Sequence, residues 1–215
     1  MSSINKIFYG RQSISGSDIQ NVTKSLISKT LTQGPLVNKL EDDFKKYLGS
    51  KFALVCSSGT AALHLSLLAI GIKKNDIIIM PSINFIAVYN LSISLGAKVI
   101  LIDVDPLTGQ MIPEKVLKSI NSKNKNNIKA IVTMNLGGYP ENIKKFFDIK
   151  KKFGFYLIED ACHALGSNFI YNNKLKKIGS CKYADISTFS LHPLKVITSG
   201  EGGVITTNNR FLAKK

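Results

Sequence analysis

One lysine of this 215-residue sequence differs from the others in its surroundings. Most lysines fall in polar clusters, where a solvated surface is the natural interpretation, but Lys195 follows Pro193 and lies between Leu194 and Val196. Apolar surroundings disfavour the ammonium form, and a neutral lysine amine is a nucleophile that can form a Schiff base with a carbonyl. Alternatively, the side chain buries its stem and extends its charged head to water. The local sequence leaves both interpretations open.

A segment of small residues, Cys56–Thr60, leads directly into a strongly helical run. The first backbone N–H groups of a helix are unpaired and its dipole favours an anion, so this junction can bind a phosphate. Gly59 allows close approach of the backbone, and Ser58 or Thr60 can add a hydroxyl donor. An ordinary serine or threonine cap is at least as common. The segment matches neither GxxxxGK[ST] nor GxGxxG, which argues against NTPase and NAD-binding functions.

Asp160 directly follows an apolar run that is typical of a buried strand. A carboxylate in that position costs free energy unless a cation or several donors meet it. It can cap the following turn, which is the usual role of an aspartate there, or it can pair with a protonated ring nitrogen of a ligand. His163 is either a core histidine with one hydrogen bond or a contact of the same ligand, and the residue pattern alone favours the core histidine.

These residues need a scaffold, and apolar runs alternating with helical periodicities supply one. The pattern predicts an α/β fold with a mostly parallel, buried sheet. Strands are predicted at 52–55, 76–81, 98–104, 129–134 and 155–158, and helices at 84–96, 113–120 and 141–152. Ligands in such sheets bind at the carboxyl ends of the strands, and Thr60, Asp160 and Ser190 fall at or just beyond such ends.

Two further helices are predicted before the first strand. Ser17-Asp18 is expected to cap an amphipathic helix, with Ile19, Val22 and Leu26 on its apolar face. After the Gly34-Pro35 break, a second helix with apolar residues at helical spacing ends at a glycine.

Composition limits the class of protein. Hydrophobic content of 44% is typical of a globular chain, and no run reaches the roughly 18 apolar residues that span a bilayer. The N-terminal segment lacks the apolar core of a signal peptide, and three widely spaced cysteines argue against disulfides and a zinc site. The net charge of +15 comes from lysines mixed with asparagine and serine rather than with stacking aromatics. We therefore expect a cytoplasmic protein that does not bind nucleic acid or membranes, whose charge helps to attract an anionic substrate.

Four segments agree in order and spacing with a known family. SSGTAALHLSLLAIGI, PSINFIAVYN, IEDACHALGS and FSLHPLKVITSGEGG resemble the DegT/DnrJ/EryC1/StrS sugar aminotransferases, which use pyridoxal 5'-phosphate. The resemblance covers essentially the whole chain. It implies the three-layer α/β/α large domain of the fold-type I pyridoxal-phosphate-dependent aminotransferases. Residues 1–215 would form this domain, truncated at its C-terminal end, and the C-terminal small domain would be missing.

The resemblance also implies roles for individual residues. Lys195 would form the Schiff base with the cofactor and shuttle a proton between cofactor and substrate carbons. Asp160 would keep the pyridine nitrogen protonated, which makes the ring an electron sink. His163 would lie against the ring or its phenolic oxygen, which reverses the interpretation drawn from the residue pattern alone.

The remaining implied contacts concern the phosphate and the ring face. The phosphate would be bound by Gly59, Thr60 and Ser190, and the ring would stack on Phe85. The sequence departs from many relatives at Asn84 and Val88, where they have threonine, so the hydrogen bonds near Phe85 are left open.

Residues 9–35 resemble one branch of the family, which acts in pseudaminic acid synthesis. That branch aminates C4 of a UDP-linked 4-keto-6-deoxy-N-acetyl-hexosamine with L-glutamate as donor. Related members use GDP- or dTDP-linked keto sugars, as in perosamine synthesis, and a non-catalytic homologue that binds the cofactor or sugar is a further alternative. The resemblance implies a homodimer whose sites include residues from the partner.

Overall fold

The computed structural model describes residues 10–215. The predicted absence of a signal-peptide core concerns a segment that lies mostly outside this range. The strands are β1 Phe52–Cys56, β2 Ile77–Pro81, β3 Lys98–Ile102, β4 Ile128–Met134, β5 Tyr156–Asp160, β6 Asn168–Tyr171, β7 Lys174–Lys177, β8 Ile186–Ser190 and β9 Gly203–Thr207. The helices are α1 Gly16–Leu26, α2 Pro35–Leu48, α3 Gly59–Ala69, α4 Ala87–Ser94, α5 Pro113–Ser119, α6 Ile143–Phe153 and α7 Arg210–Lys214.

A seven-stranded sheet in the order β1-β9-β8-β5-β4-β2-β3 forms the centre of the fold. Strand β9 pairs antiparallel with both of its neighbours, β1 and β8, and the other pairs in this sheet are parallel. The prediction of a mostly parallel sheet is therefore confirmed. Because the other six strands run in one direction, their carboxyl ends meet at a single edge of the sheet.

Helices cover both faces of this sheet. Successive residues of a strand point to opposite faces, and in β2 Ile78 and Met80 join one apolar core whereas Ile77 and Ile79 join the other. Helices α3 and α4 pack on the first face and α5 and α6 on the second. A third cluster packs α2 against the end of the sheet that carries β8 and β9. The predicted three-layer α/β/α arrangement is thus confirmed.

Helix α1 begins earlier than predicted and makes little contact with the rest of the described chain. Its cap is Ser15, not Ser17: the Ser15 hydroxyl accepts the Asp18 N–H at 3.3 Å, and the Asp18 carboxylate accepts the Ser15 N–H at 2.7 Å. The apolar face exists, but Ile19 and Val22 are about 60% exposed, and no residue of α1 is buried.

The start of α4 and one hairpin also differ from the prediction. Helix α4 begins at Ala87 rather than at Asn84, so residues 84–86 belong to the loop that follows β2. The β6–β7 hairpin was not predicted. Its turn residues, Asn172 and Asn173, both have positive φ angles, which asparagine tolerates better than most residues. Within residues 10–215, no helix is long and apolar enough to cross a membrane.

Candidate active site

A cavity of about 500 Å³ opens at the carboxyl edge of the sheet. The start of α3, the loop after β2, the end of β5 and the loop after β8 form its walls. The structure brings all seven site residues predicted from the sequence to this one cavity: Gly59, Thr60, Phe85, Asp160, His163, Ser190 and Lys195.

The start of α3 is held tightly against the sheet. Ser58 caps the helix, with its hydroxyl accepting the Ala61 N–H at 3.1 Å. A Cβ on Gly59 would lie 2.8 Å from Ser190 Cβ, and a Cβ on Gly203 would lie 2.1 Å from the Ser58 carbonyl oxygen. Both positions therefore require glycine for the helix end to lie beside β8 and β9. Ser58 therefore caps α3 at the point where the helix start forms the cavity wall, so a serine cap and a ligand site at this junction do not exclude each other.

Asp160 ends β5 and is 1% exposed. Its Oδ1 accepts the backbone N–H of Cys162 at 3.1 Å. Burial raises the pKa of this carboxyl, while the hydrogen bonds from Cys162 and the charges of His163 and Lys195 act against that shift. None of the ion pairs found among residues 10–215 involves Asp160. The cavity therefore holds a buried carboxylate suited to a cationic group of a ligand.

His163 lines the cavity and does not fill the core. Its Nδ1 accepts the Gly137 N–H at 3.4 Å, a weak bond that requires this nitrogen to be unprotonated. Burial, and then the charge of Lys195, lower the pKa of the ring. The Gly137–Gly138 turn fits against this residue closely, because a Cβ on Gly138 would lie 2.8 Å from the His163 carbonyl oxygen. The arrangement favours a neutral imidazole.

Lys195 lies in the turn that follows β8 and is half-buried. Its backbone N–H donates to the His192 carbonyl at 2.9 Å. Its sequence neighbours Leu194 and Val196 are themselves 47% and 64% exposed, so the apolar character of the local sequence does not explain the partial burial of the lysine. The lysine is partly buried because its turn forms a wall of the cavity.

The loop after β2 contributes both an aromatic ring and an unpaired amide. Phe85 is 63% exposed beside the cavity. The Asn84 side-chain oxygen and nitrogen are buried without a hydrogen-bond partner. His192, Cys162 and Glu201 also line the cavity and were not predicted as site residues. Each lies within one of the four segments that resemble the aminotransferase family, and this resemblance is the signal that could have identified them.

The residues present fit pyridoxal 5'-phosphate. The cavity offers a buried carboxylate without an ion-pair partner for the pyridine nitrogen and a helix start packed closely at Gly59 for the phosphate. Lys195 lines the same cavity and offers an amine for the aldehyde. In residues 10–215 no group of three or more histidine, cysteine or acidic side chains is arranged to hold a metal ion.

The fold and the cavity define a class, that of the pyridoxal-phosphate-dependent aminotransferase fold. Within it, the chain belongs to the DegT/DnrJ/EryC1/StrS aminotransferase family, whose sequence profile matches residues 12–215. It is 40% identical over 209 residues to a UDP-4-amino-4,6-dideoxy-N-acetyl-beta-L-altrosamine transaminase of Campylobacter jejuni, and the match covers 97% of this chain and 53% of that one.

Two solved structures show the same relationship. Helicobacter pylori PseC, an aminotransferase involved in the biosynthesis of pseudoaminic acid, superposes with a TM-score of 0.87 at 30% identity, covering 98% of this chain and 54% of that one. The NtdA protein of Bacillus subtilis with bound cofactor PMP superposes with a TM-score of 0.80 at 28% identity, covering 98% of this chain and 48% of that one. The chain thus spans about half the length of the relatives that it matches.

Proposed function

We propose that this protein is a pyridoxal-phosphate-dependent aminotransferase that acts on a nucleotide-linked keto sugar. One observation carries the proposal: Lys195, the buried Asp160 and the start of α3 line a single cavity. When bound, the cofactor supplies an electron sink that stabilises negative charge at the substrate carbon. Family membership and relatives that are aminotransferases support the proposal.

Three groups of this chain would hold the cofactor. The N–H groups at the start of α3, with Gly59 and Thr60, bind its phosphate, and the Ser190 hydroxyl adds a donor. Asp160 keeps the pyridine nitrogen protonated, and in return its buried carboxylate gains a cationic partner. Phe85, which lines the cavity, would cover one face of the ring.

Lys195 and His163 would act at the reacting atoms. The Lys195 amine would hold the cofactor through its aldehyde, and Lys195 Nζ would also accept and return the proton that moves between the reacting carbons. His163 would lie against the cofactor ring. Burial lowers the pKa of His163 and its Nδ1 accepts the Gly137 N–H, so its imidazole would be neutral there.

The substrate we propose is a UDP-linked 4-keto-6-deoxy-N-acetyl sugar of the altrosamine series, with L-glutamate as amino donor, in pseudaminic acid synthesis. The names of the Campylobacter and Helicobacter relatives support this choice. GDP- and dTDP-linked keto sugars, such as the substrate of perosamine synthesis, are the competing substrates. We further propose that residues 1–215 are the cofactor-binding large domain of a cytoplasmic homodimer.

Trapping of the cofactor tests the first part of the proposal. The purified protein should acquire visible absorbance with pyridoxal phosphate, and borohydride should fix the cofactor to the peptide that contains Lys195. Lys195→Ala should abolish trapping, whereas Lys118→Ala, on the exposed face of α5, should not change it. A protein that stays colourless with saturating cofactor would refute the proposal.

A panel of keto sugar nucleotides tests the second part. UDP-, GDP- and dTDP-linked 4-keto sugars are incubated with glutamate, and the aminated products are measured by mass spectrometry. Preferred turnover of the UDP-linked N-acetyl sugar is expected. Trapping of the cofactor without turnover of any substrate would instead identify a non-catalytic homologue.

A further inference from the structure

The turn that carries Lys195 is organised by one residue, His192. The His192 N–H donates to Ser190 Oγ at 3.3 Å, the His192 ring accepts the Leu194 N–H through Nδ1 at 3.3 Å, and the His192 carbonyl accepts the Lys195 N–H at 2.9 Å. Through its backbone and its ring, His192 thus binds Ser190 at the end of β8 and the backbone N–H groups of Leu194 and Lys195.

Pro193 makes the ring contact important. Proline has no N–H and a fixed φ, so after His192 the first backbone donor of the turn belongs to Leu194. That donor is bound by the imidazole Nδ1. A nitrogen that accepts a hydrogen bond carries no proton, so in the neutral ring the proton is on Nε2. The His192 ring also lines the cavity. An aliphatic side chain at position 192 could not replace this acceptor.

The base of the same loop is closed without the ring. The Leu191 N–H donates to the Gly202 carbonyl at 2.8 Å, and the Leu191 carbonyl accepts the Ser199 N–H at 3.1 Å and the Thr198 hydroxyl at 3.0 Å. Loss of the His192 ring should therefore loosen the turn around Lys195 while the loop stays attached to the sheet.

We propose that His192 is a positioning residue, which fixes the backbone from which Lys195 projects and thereby sets the position of the Lys195 amine in the cavity. The inference rests on the proposed function only in taking Lys195 as the reactive amine. This role of the His192 ring is separate from the cofactor contacts proposed for Asp160, His163 and Ser190, because the ring binds the backbone of the turn.

The first test needs no cofactor. Purified protein is treated with a low dose of acetic anhydride, and acetylation of Lys195 is measured by mass spectrometry relative to other lysines. His192→Ala and His192→Phe remove the acceptor, whereas His192→Asn keeps an oxygen that can accept the Leu194 N–H. Acetylation of Lys195 should be about fivefold faster in the first two variants, the effect of losing one hydrogen bond, and close to wild type in His192→Asn.

The second test measures attachment of the cofactor. At saturating pyridoxal phosphate, borohydride trapping on Lys195 should be about fivefold slower in His192→Ala or His192→Phe and restored in His192→Asn. His64→Asn and His64→Ala are the controls, because His64 lies on α3 and does not line the cavity. Both should behave like wild type.

The outcomes separate this inference from the proposed function. Absence of trapping in wild type, together with acetylation of Lys195 that depends on His192, would refute the proposed function and support the inference. Wild-type acetylation and trapping in His192→Ala would overturn the inference. Equal changes in His192→Ala and His192→Asn would also overturn it, because the accepting atom would then not matter. If His192→Phe does not fold, His192→Ala carries the same expectations.

Discussion

Gly59, the first residue of α3, packs directly against the side chain of Ser190 at the end of β8. A Cβ added at Gly59 would lie 2.8 Å from Ser190 Cβ and 3.2 Å from Cys162 Sγ. The helix start, the end of β8 and the turn after β5 therefore meet at one point, which is the wall of the cavity. Because Gly59 has no side chain, the proposed phosphate donors at the start of α3 lie next to Ser190.

Gly59→Ala should destabilise the protein by about 1–3 kcal/mol, because the added methyl group has to displace Ser190 or Cys162. It should also weaken the binding of pyridoxal phosphate. The matched control is Gly16→Ala, where an added Cβ meets nothing within 4 Å near the start of α1. Urea unfolding and cofactor titration measure both effects. Equal stability and equal cofactor affinity of the two variants would show that the contact is not tight.

Asp160→Asn should have opposite effects on stability and on activity. Burial raises the pKa of Asp160, so in the cofactor-free protein the neutral form contributes stability below the ordinary pKa of 3.8, and this stability is lost as pH rises through the folded-state pKa. Asparagine cannot ionise, so the cofactor-free variant should be more stable than wild type at pH 7, and the difference should shrink in acid.

The amide should nevertheless lower aminotransferase activity by about 100-fold or more, since it cannot stabilise a protonated pyridine nitrogen electrostatically. Urea midpoints of the cofactor-free proteins between pH 4 and pH 7 test the stability, and single-turnover rates test the activity. Full activity of Asp160→Asn would refute the assigned role.

Much of the architecture was predictable because its signals are local. Short apolar runs bounded by turn formers marked five strands of the sheet, and strands alternating with helices implied parallel pairing. The antiparallel insertion of β9 between β1 and β8 was not predictable, because pairing between strands far apart in the chain leaves no local pattern. The β6–β7 hairpin was missed although its Asn172-Asn173 turn is a local signal.

Individual site residues also differed in how far the sequence could predict them. Lys195 and Asp160 could be singled out because a charged residue beside apolar runs is unusual, and both line the cavity. The exposure of Leu194 and Val196 was not foreseeable, because a turn after a strand gives no periodicity that indicates which residues face the solvent. His192 acts on backbone groups within the turn, and only the folded geometry shows these contacts.

His163 should make stability depend on pH in the opposite direction from Asp160. Its pKa is lowered by burial and by Lys195, so its contribution is present above the ordinary pKa of 6.5 and is lost as pH falls through the folded-state pKa. His163→Asn should remove this part of the pH dependence. Urea midpoints at pH 7.5 and pH 5.5 measure it, with His64→Asn as the control. An unchanged pH dependence in His163→Asn would show that the ring does not titrate differently on unfolding.

Asp185 should be the acidic residue whose ion pair contributes most to stability among those described. It accepts Lys150 Nζ at 2.6 Å and the Leu157 N–H at 2.8 Å, with both charged side chains about one-fifth exposed, so it joins α6 to β5 just before β8 begins. Asp185→Ala leaves a partly buried amine and a backbone donor unpaired and should cost about 2 kcal/mol. Asp43→Ala breaks the Lys39–Asp43 pair, whose side chains are more than half exposed, and should cost less than about 0.5 kcal/mol. Urea unfolding at low and high salt measures both variants. Similar losses in the two variants would mean that the partial burial of the Lys150–Asp185 pair adds nothing beyond the effect of a surface charge pair.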